Sequence, residues 1–132
     1  MTHTHPLRVY YEDVDLAGIV YYANYLKYAE RGRSEMVRAL GVDQLDMKAN
    51  GIVFVVRRVV ADYLKPALYD DNLVVETVIS SLKGATMVMD QRILRDGDVC
   101  FEARVTVACM SLGGKVTRFP AEIRQKLDII KA

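Results

Sequence analysis

The stretch Val9-Tyr10-Tyr11-Glu12-Asp13-Val14-Asp15-Leu16-Ala17-Gly18-Ile19-Val20-Tyr21-Tyr22-Ala23-Asn24-Tyr25 decides how the chain is read. It begins as a strand and ends as a helix, with a short loop of two acids and a glycine between them. Gly18 admits backbone angles that a Cβ would forbid. The backbone of residues 19–22 then turns tightly and leaves free N–H groups at the helix start. Those groups and the helix dipole favour negative charge. A developing oxyanion is stabilised in such a place, and a carbonyl oxygen is polarised. A carboxylate next to it completes the equipment for hydrolysing an activated acyl group.

Working outward, Leu7 to Tyr11 reads as the first strand. Residues 22–40 read as a helix, because Leu26, Ala29, Met36, Val37 and Leu40 recur at helical offsets. Gly32 weakens its middle by about 1 kcal/mol relative to Ala, so a glycine there predicts close packing or a kink. Gly41 is the stop. Arg31 with Glu35, and Glu30 with Arg33, are placed to pair on the exposed side. Tyr21, Tyr25 and Tyr28 share a side and read as packing residues.

Ile52 to Leu64 is a strand with two apolar faces, Val53, Val55, Val59 and Ala61 on one and Phe54, Val56 and Val60 on the other. Such a strand belongs in the centre of a sheet or at an interface. Lys65-Pro66 ends it. Leu73–Ser81, Ala85–Arg95 and Val99–Leu112 are further strands, the last two joined by an Asp96-Gly97 hairpin turn. Residues 116–119 read as a short extended piece, and Pro120 opens a last helix to about Ile130. The order is strand, helix, then four strands. It predicts a single α+β domain over residues 1–132, one antiparallel sheet wrapped around one long central helix.

The chain has 132 residues, 52% of them hydrophobic, enough for a real core. Its formal net charge of +1 gives no reason to expect nucleic acid or an anionic membrane as partner. No apolar run has the length of a membrane span, and the polar N-terminus lacks a signal-peptide core, so a cytoplasmic location is expected. Cys100 and Cys109 sit at odd spacing on one strand and point to opposite faces. They read as buried free thiols, in keeping with a reducing compartment. The only histidines, His3 and His5, fall in a tail expected to be mobile. No cluster has metal-ligand spacing, so neither metal nor cofactor is expected.

The string from Tyr11 to Tyr25, with Arg8-Val9-Tyr10-Tyr11-Glu12-Asp13 and Phe54-Val55-Val56-Arg57, resembles the signature of the hotdog-fold 4-hydroxybenzoyl-CoA thioesterase family. It is most similar to the Tol–Pal-associated branch of bacterial acyl-CoA thioesterases, and the likeness extends over nearly the whole chain. The resemblance implies a hotdog fold and hydrolysis of short-chain aliphatic or aromatic acyl-CoA to free acid and coenzyme A, without a cofactor. It implies that Asp15 is the catalytic carboxylate, as nucleophile or as general base for water. It makes Gly18 the turn glycine and the Tyr22 backbone N–H the donor that polarises the thioester carbonyl. Members of that branch often carry His where this chain has Tyr22; because the position acts through its main chain, the swap leaves the mechanism available. Taken from spacing alone, Asp15 reads first as a turn or capping aspartate, and only the resemblance makes it catalytic; Asp13 reads as a residue that fixes the loop.

The phosphates of coenzyme A call for cations. Lys83, in a Lys-Gly break, is similar in position to nucleotide-contacting residues of the family. Arg57 and Arg58, interrupting an apolar strand, are further candidates, against ordinary surface charge for all three. A homo-oligomer, dimer or tetramer, with sites formed between protomers is implied, and an acyl carrier protein is an alternative substrate carrier. Two other functions compete. One is a hydratase or dehydratase of the same fold, against which the absence of histidine from loop and helix counts. The other is a non-catalytic acyl- or CoA-binding module, or an interaction partner in the Tol–Pal envelope machinery.

Overall fold

The alternation of apolar residues is realised as one five-stranded antiparallel sheet. The computed structural model describes residues 1–131, with β1 His3–Arg8, α1 Asn24–Ala39, α2 Gln44–Ala49, β2 Ile52–Tyr63, β3 Asn72–Leu82, β4 Thr86–Arg95, β5 Asp98–Ser111 and α3 Ala121–Asp128. The strand order is β1-β3-β4-β5-β2. Leu73, Val75 and Ile79 of β3, Met87, Met89 and Ile93 of β4, and Phe101, Val105 and Val107 of β5 are buried on one face. Helix α1 lies on that face through Tyr25, Tyr28, Ala29, Gly32, Met36 and Val37. The architecture is the α+β, sheet-around-helix plan of a hotdog. The β4–β5 turn has Asp96 at φ 49° and Gly97 at φ 84°, the left-handed pair that an Asp-Gly hairpin turn demands. No helix among the described residues is long and apolar enough to cross a membrane.

Gly32 sets how closely helix and sheet approach. A Cβ built there would stand 2.5 Å from Val75 Cγ1, so the contact is possible only without a side chain. Beside it runs a buried polar chain. Gln91 Nε2 donates to the Ala29 carbonyl and to Thr77 Oγ1, each at 2.9 Å, and Gln91 Oε1 accepts from Arg33 Nη1 at 3.0 Å. Arg33 therefore turns in toward the sheet, which is why the helical face breaks there. Burial pushes its guanidinium pKa down. Glu30 accepts instead from Ser34 Oγ at 2.6 Å, and Glu35 pairs with Arg38 rather than Arg31.

Two further expectations are corrected. The first strand starts earlier: His3 pairs with Thr77 and His5 with Val75, so both histidines belong to a half-buried strand, not to a mobile tail. The strand Ile52–Tyr63, expected in the centre of a sheet or at an interface, lies at the sheet edge, which leaves the second alternative. Its register against β5 shifts between Val56 and Arg58, making Arg57 the extra residue of a bulge. One added residue inverts the period-two alternation. Val59, Ala61 and Tyr63, opposite Val105, Ala103 and Phe101, thus share the inner face with Phe54 and Val56, while Arg58, Val60 and Asp62 face outward.

Gly32→Ala is expected to lower unfolding stability by about 1–3 kcal/mol through overpacking, despite a helix-propensity gain of about 1 kcal/mol. Urea titration checks this, and a second change, Val75→Ala, should recover part of the loss. A stabilised single variant would contradict the close-contact account.

Candidate active site

The decisive stretch folds as a small hairpin laid against the start of α1. After β1, residues Tyr11–Asp13 form one 3-10 turn. The chain then pairs with itself, Val14 bridging Val20, the Asp15 N–H donating to the Ile19 carbonyl at 2.9 Å and the Tyr21 N–H to the Asp13 carbonyl at 2.9 Å. The tip closes where the Gly18 N–H donates to the Asp15 carbonyl at 3.0 Å. Gly18 sits at φ 79°, a type I turn followed by a left-handed residue. That conformation is what calls for glycine. Nothing lies within 4 Å of a Cβ built at Gly18, so crowding plays no part.

Asp15 is exposed at this tip. One carboxylate oxygen, Oδ1, accepts from the Ala17 N–H at 2.9 Å. That bond shapes the turn and orients the group. Among the described residues nothing donates to the other oxygen. At the base of the hairpin, the Asn24 N–H donates to the Tyr21 carbonyl at 2.8 Å, closing a turn whose central residues are Tyr22 and Ala23. Among the described residues the N–H groups of Tyr22 and Ala23 have no acceptor. The ladder puts Ile19 opposite Asp15, and Tyr22 follows three positions on, in the turn that leads into α1.

Neighbouring segments hold this arrangement. Asp13 accepts from the Tyr10 N–H through Oδ2 at 2.8 Å, and its carbonyl also takes the Asn24 Nδ2 donor at 2.9 Å. The loop after β2 clamps the other side. The Val20 N–H donates to the Ala67 carbonyl at 2.8 Å, the Ala67 N–H to Tyr25 Oη at 3.0 Å, and Ile19 bridges Leu68. Arg95 pins that loop, binding the Pro66 carbonyl and Asp71 Oδ2, each at 3.0 Å.

The expected phosphate ligands lie elsewhere in the protomer. Lys83 is exposed in the β3–β4 turn, at the far end of β3 from Asp71 and the hairpin. The whole of β3, 11 residues, lies between them. Arg57 and Arg58 are exposed along the middle of β2. One protomer therefore does not gather Lys83, Arg57 and Arg58 around Asp15. Cys100 and Cys109 are both buried and free, and burial pushes both thiols up, away from nucleophilic use. Among the described residues no three His, Cys, Asp or Glu side chains stand close enough to hold a metal ion.

Sequence reading missed Tyr63. This last residue of β2 carries its hydroxyl to the Tyr22 carbonyl at 3.1 Å, and its ring packs edge-on to Tyr22, Tyr25 and Phe101. A tyrosine two residues before Lys65-Pro66 is the only signal, and the bulge at Arg57 concealed which face it takes.

Residues 9–127 match the model of the thioesterase-like superfamily. The acyl-CoA thioesterase YbgC of Haemophilus influenzae is 41% identical over 128 residues, 96% of this chain and 94% of that protein. A probable thioesterase of Bartonella henselae, 38% identical, superposes with a TM-score of 0.86 over 91% of this chain and 100% of that one. The crystal structure of a 4-hydroxybenzoyl CoA thioesterase mutant complexed with 4-hydroxybenzoyl CoA superposes with a TM-score of 0.88, over 96% and 98% of the two chains. At 23% identity that last likeness speaks for the fold alone.

Gly18→Val is expected to cost about 1–2 kcal/mol from the left-handed backbone alone and to loosen the Asp15 turn. Thermal unfolding and hydrogen exchange of the Asp15 and Val20 amides, which donate to the Ile19 and Ala67 carbonyls, measure it. A variant as stable and as protected as the parent would contradict the role given to φ at this tip.

Proposed function

The chain belongs to the thioesterase-like superfamily, and from that premise we propose that it hydrolyses acyl-CoA thioesters to a free acid and coenzyme A, with Asp15 as the reacting carboxylate. The observation that carries the reading is the hairpin itself. It presents a carboxylate with one uncommitted oxygen at its tip and, at its base, an unpartnered N–H of Tyr22 at a helix start. The thioester carbonyl lies with its oxygen toward the Tyr22 N–H and its carbon toward Asp15. Asp15 either attacks that carbon, forming an anhydride that water then opens, or takes the proton of an attacking water. In both routes the C–S bond breaks, coenzyme A leaves as thiolate and is protonated, and the N–H stabilises the oxyanion. The names of the relatives support acyl-CoA as the substrate. The aromatic group of Tyr22 and Tyr63 beside the donor suits a short aliphatic or an aromatic acyl group.

The assembly completes the reading. The outer edge of β2 is unpaired, and its Val55, Val56, Val59 and Val60 are 36–49% exposed. A long apolar edge is a surface that proteins cover. A groove of about 350 Å³ between α1 and β2, lined by Leu26, Val56 and Val59 among others, continues it. A second copy placed antiparallel along β2 covers both features. It also carries the partner's β3–β4 turn toward the Asp15 end, so Lys83 of one protomer serves the nucleotide at the other's site, with Arg57 and Arg58 nearer the axis. A cytoplasmic location is part of the reading, supported by two free buried thiols.

Release of free thiol over a panel of acyl-CoAs tests the function. Asp15→Asn should lower kcat by about 10²–10⁴-fold with an unchanged melting temperature; near-parental turnover would remove Asp15 from the chemistry. Lys83→Ala should raise KM for acyl-CoA with little change in kcat, as when uniform binding is lost. It should leave a truncated thioester without the nucleotide unaffected, and an equal response to both substrates would make Lys83 structural.

A further inference from the structure

The turn between hairpin and helix has two free N–H groups, and each is aimed by a different anchor. In a trans peptide the N–H points away from the preceding carbonyl. The Tyr21 carbonyl, which accepts from the Asn24 N–H at 2.8 Å, fixes the plane that carries the Tyr22 N–H. The Tyr22 carbonyl fixes the plane that carries the Ala23 N–H. Among the described residues no backbone N–H donates to the Tyr22 carbonyl; its donor is the Tyr63 hydroxyl, 41 residues away in sequence, at 3.1 Å. Ala23 is already in helical conformation, φ −68° and ψ −21°, so its N–H belongs to the set that points out of the helix start.

We propose that Tyr63 is a positioning residue for thioester hydrolysis: its hydroxyl holds the Tyr22 carbonyl and so aims the Ala23 N–H, beside that of Tyr22, at the developing oxyanion. The inference rests on the thioesterase reading above. It adds a second donor to that reading and names the side chain that orients it.

The ring of Tyr63 makes the hydroxyl a fixed support. Its centroid lies 5.2 Å from that of Phe101, 5.6 Å from Tyr25 and 6.2 Å from Tyr22, all edge-to-face. Phe101 and Tyr25 are both buried, so the platform is part of the core. The bulge at Arg57 is what turns Tyr63 inward onto it. Without the extra residue the alternation would send this side chain to the opposite face. Burial, and then the neighbouring Tyr22, push the phenol upward, so the group stays protonated and a donor through neutral pH. A preorganised donor pair is worth more to the transition state than to the bound thioester, which assigns the effect to kcat.

The test is Tyr63→Phe, which keeps the ring and removes only the hydroxyl. Steady-state thiol release from acyl-CoA and melting temperature are measured on the parent and the variant. The expected result is a kcat about tenfold lower, KM within twofold of the parent and a melting temperature within a few degrees. An unchanged kcat in an active parent overturns the positioning role and leaves the thioesterase reading standing. A fall in kcat that comes with a large rise in KM and a collapsed melting temperature makes Tyr63 a packing residue and overturns it too. Tyr63→Leu, which removes ring and hydroxyl, shows what that packing loss alone looks like. A parent that releases no thiol from any acyl-CoA overturns the thioesterase reading, and the role of Tyr63 in it falls with it.

Discussion

The carbonyl of Asp13 receives two donors, the Tyr21 N–H and the Asn24 side-chain amide, each at 2.9 Å. The first bond closes the base of the Asp15 hairpin. The second ties that base to the first residue of α1. Through one oxygen atom the loop that carries a carboxylate and the helix that carries unpartnered N–H groups become one rigid unit. Neither half makes the proposed site alone. Asp15 without the tie is a turn aspartate on an exposed loop, and a helix start without a carboxylate beside it is only a patch of partial positive charge.

That unit needs a fixed base, and the helix–sheet contact supplies it. Gly32 lets α1 lie so near β3 that a single added carbon would meet Val75 at 2.5 Å. Gln91 then bonds to the helix backbone at Ala29 and to Thr77 of β3. A buried amide satisfied on both sides resists sliding of the helix along the sheet, because a shift would leave polar groups unpaired. The Tyr28 hydroxyl, like His3 Nδ1, is an exception among the described residues. It is buried with no hydrogen-bond partner among the described residues, and burial together with the nearby Asp13 carboxylate pushes its phenol well up.

Much of this was legible in the sequence. Apolar alternation marked β3, β4 and β5, and the Asp96-Gly97 turn and Gly41 stop marked where elements end. Gly32 announced a close contact, and Gly18 marked the tight turn; Asp15 stood out through the family resemblance, since its spacing alone reads as a turn aspartate. What escaped reading has a physical cause in each case. A β-bulge carries no composition signal, so Arg57 looked like one member of an arginine pair instead of the residue that inverts a strand. That inversion hid Tyr63, whose partner is a main-chain carbonyl 41 residues away. His3 and His5 looked like a tail because a short edge strand of polar residues has little hydrophobic pattern of its own. Edge or centre for β2 turns on pairing partners, and a strand apolar on both faces does not declare them.

The central claim is that Asp15 and the Tyr22 N–H act on opposite ends of one carbonyl. The most direct measurement is a crystal structure of the parent protein with an acyl-CoA analogue in which a methylene replaces the thioester sulfur's place next to an intact ketone. The account predicts the ketone oxygen within about 3 Å of the Tyr22 nitrogen and the ketone carbon about 3–3.5 Å from the free Asp15 oxygen. A ketone bound with its oxygen turned away from the helix start, or out of reach of Asp15, would contradict it.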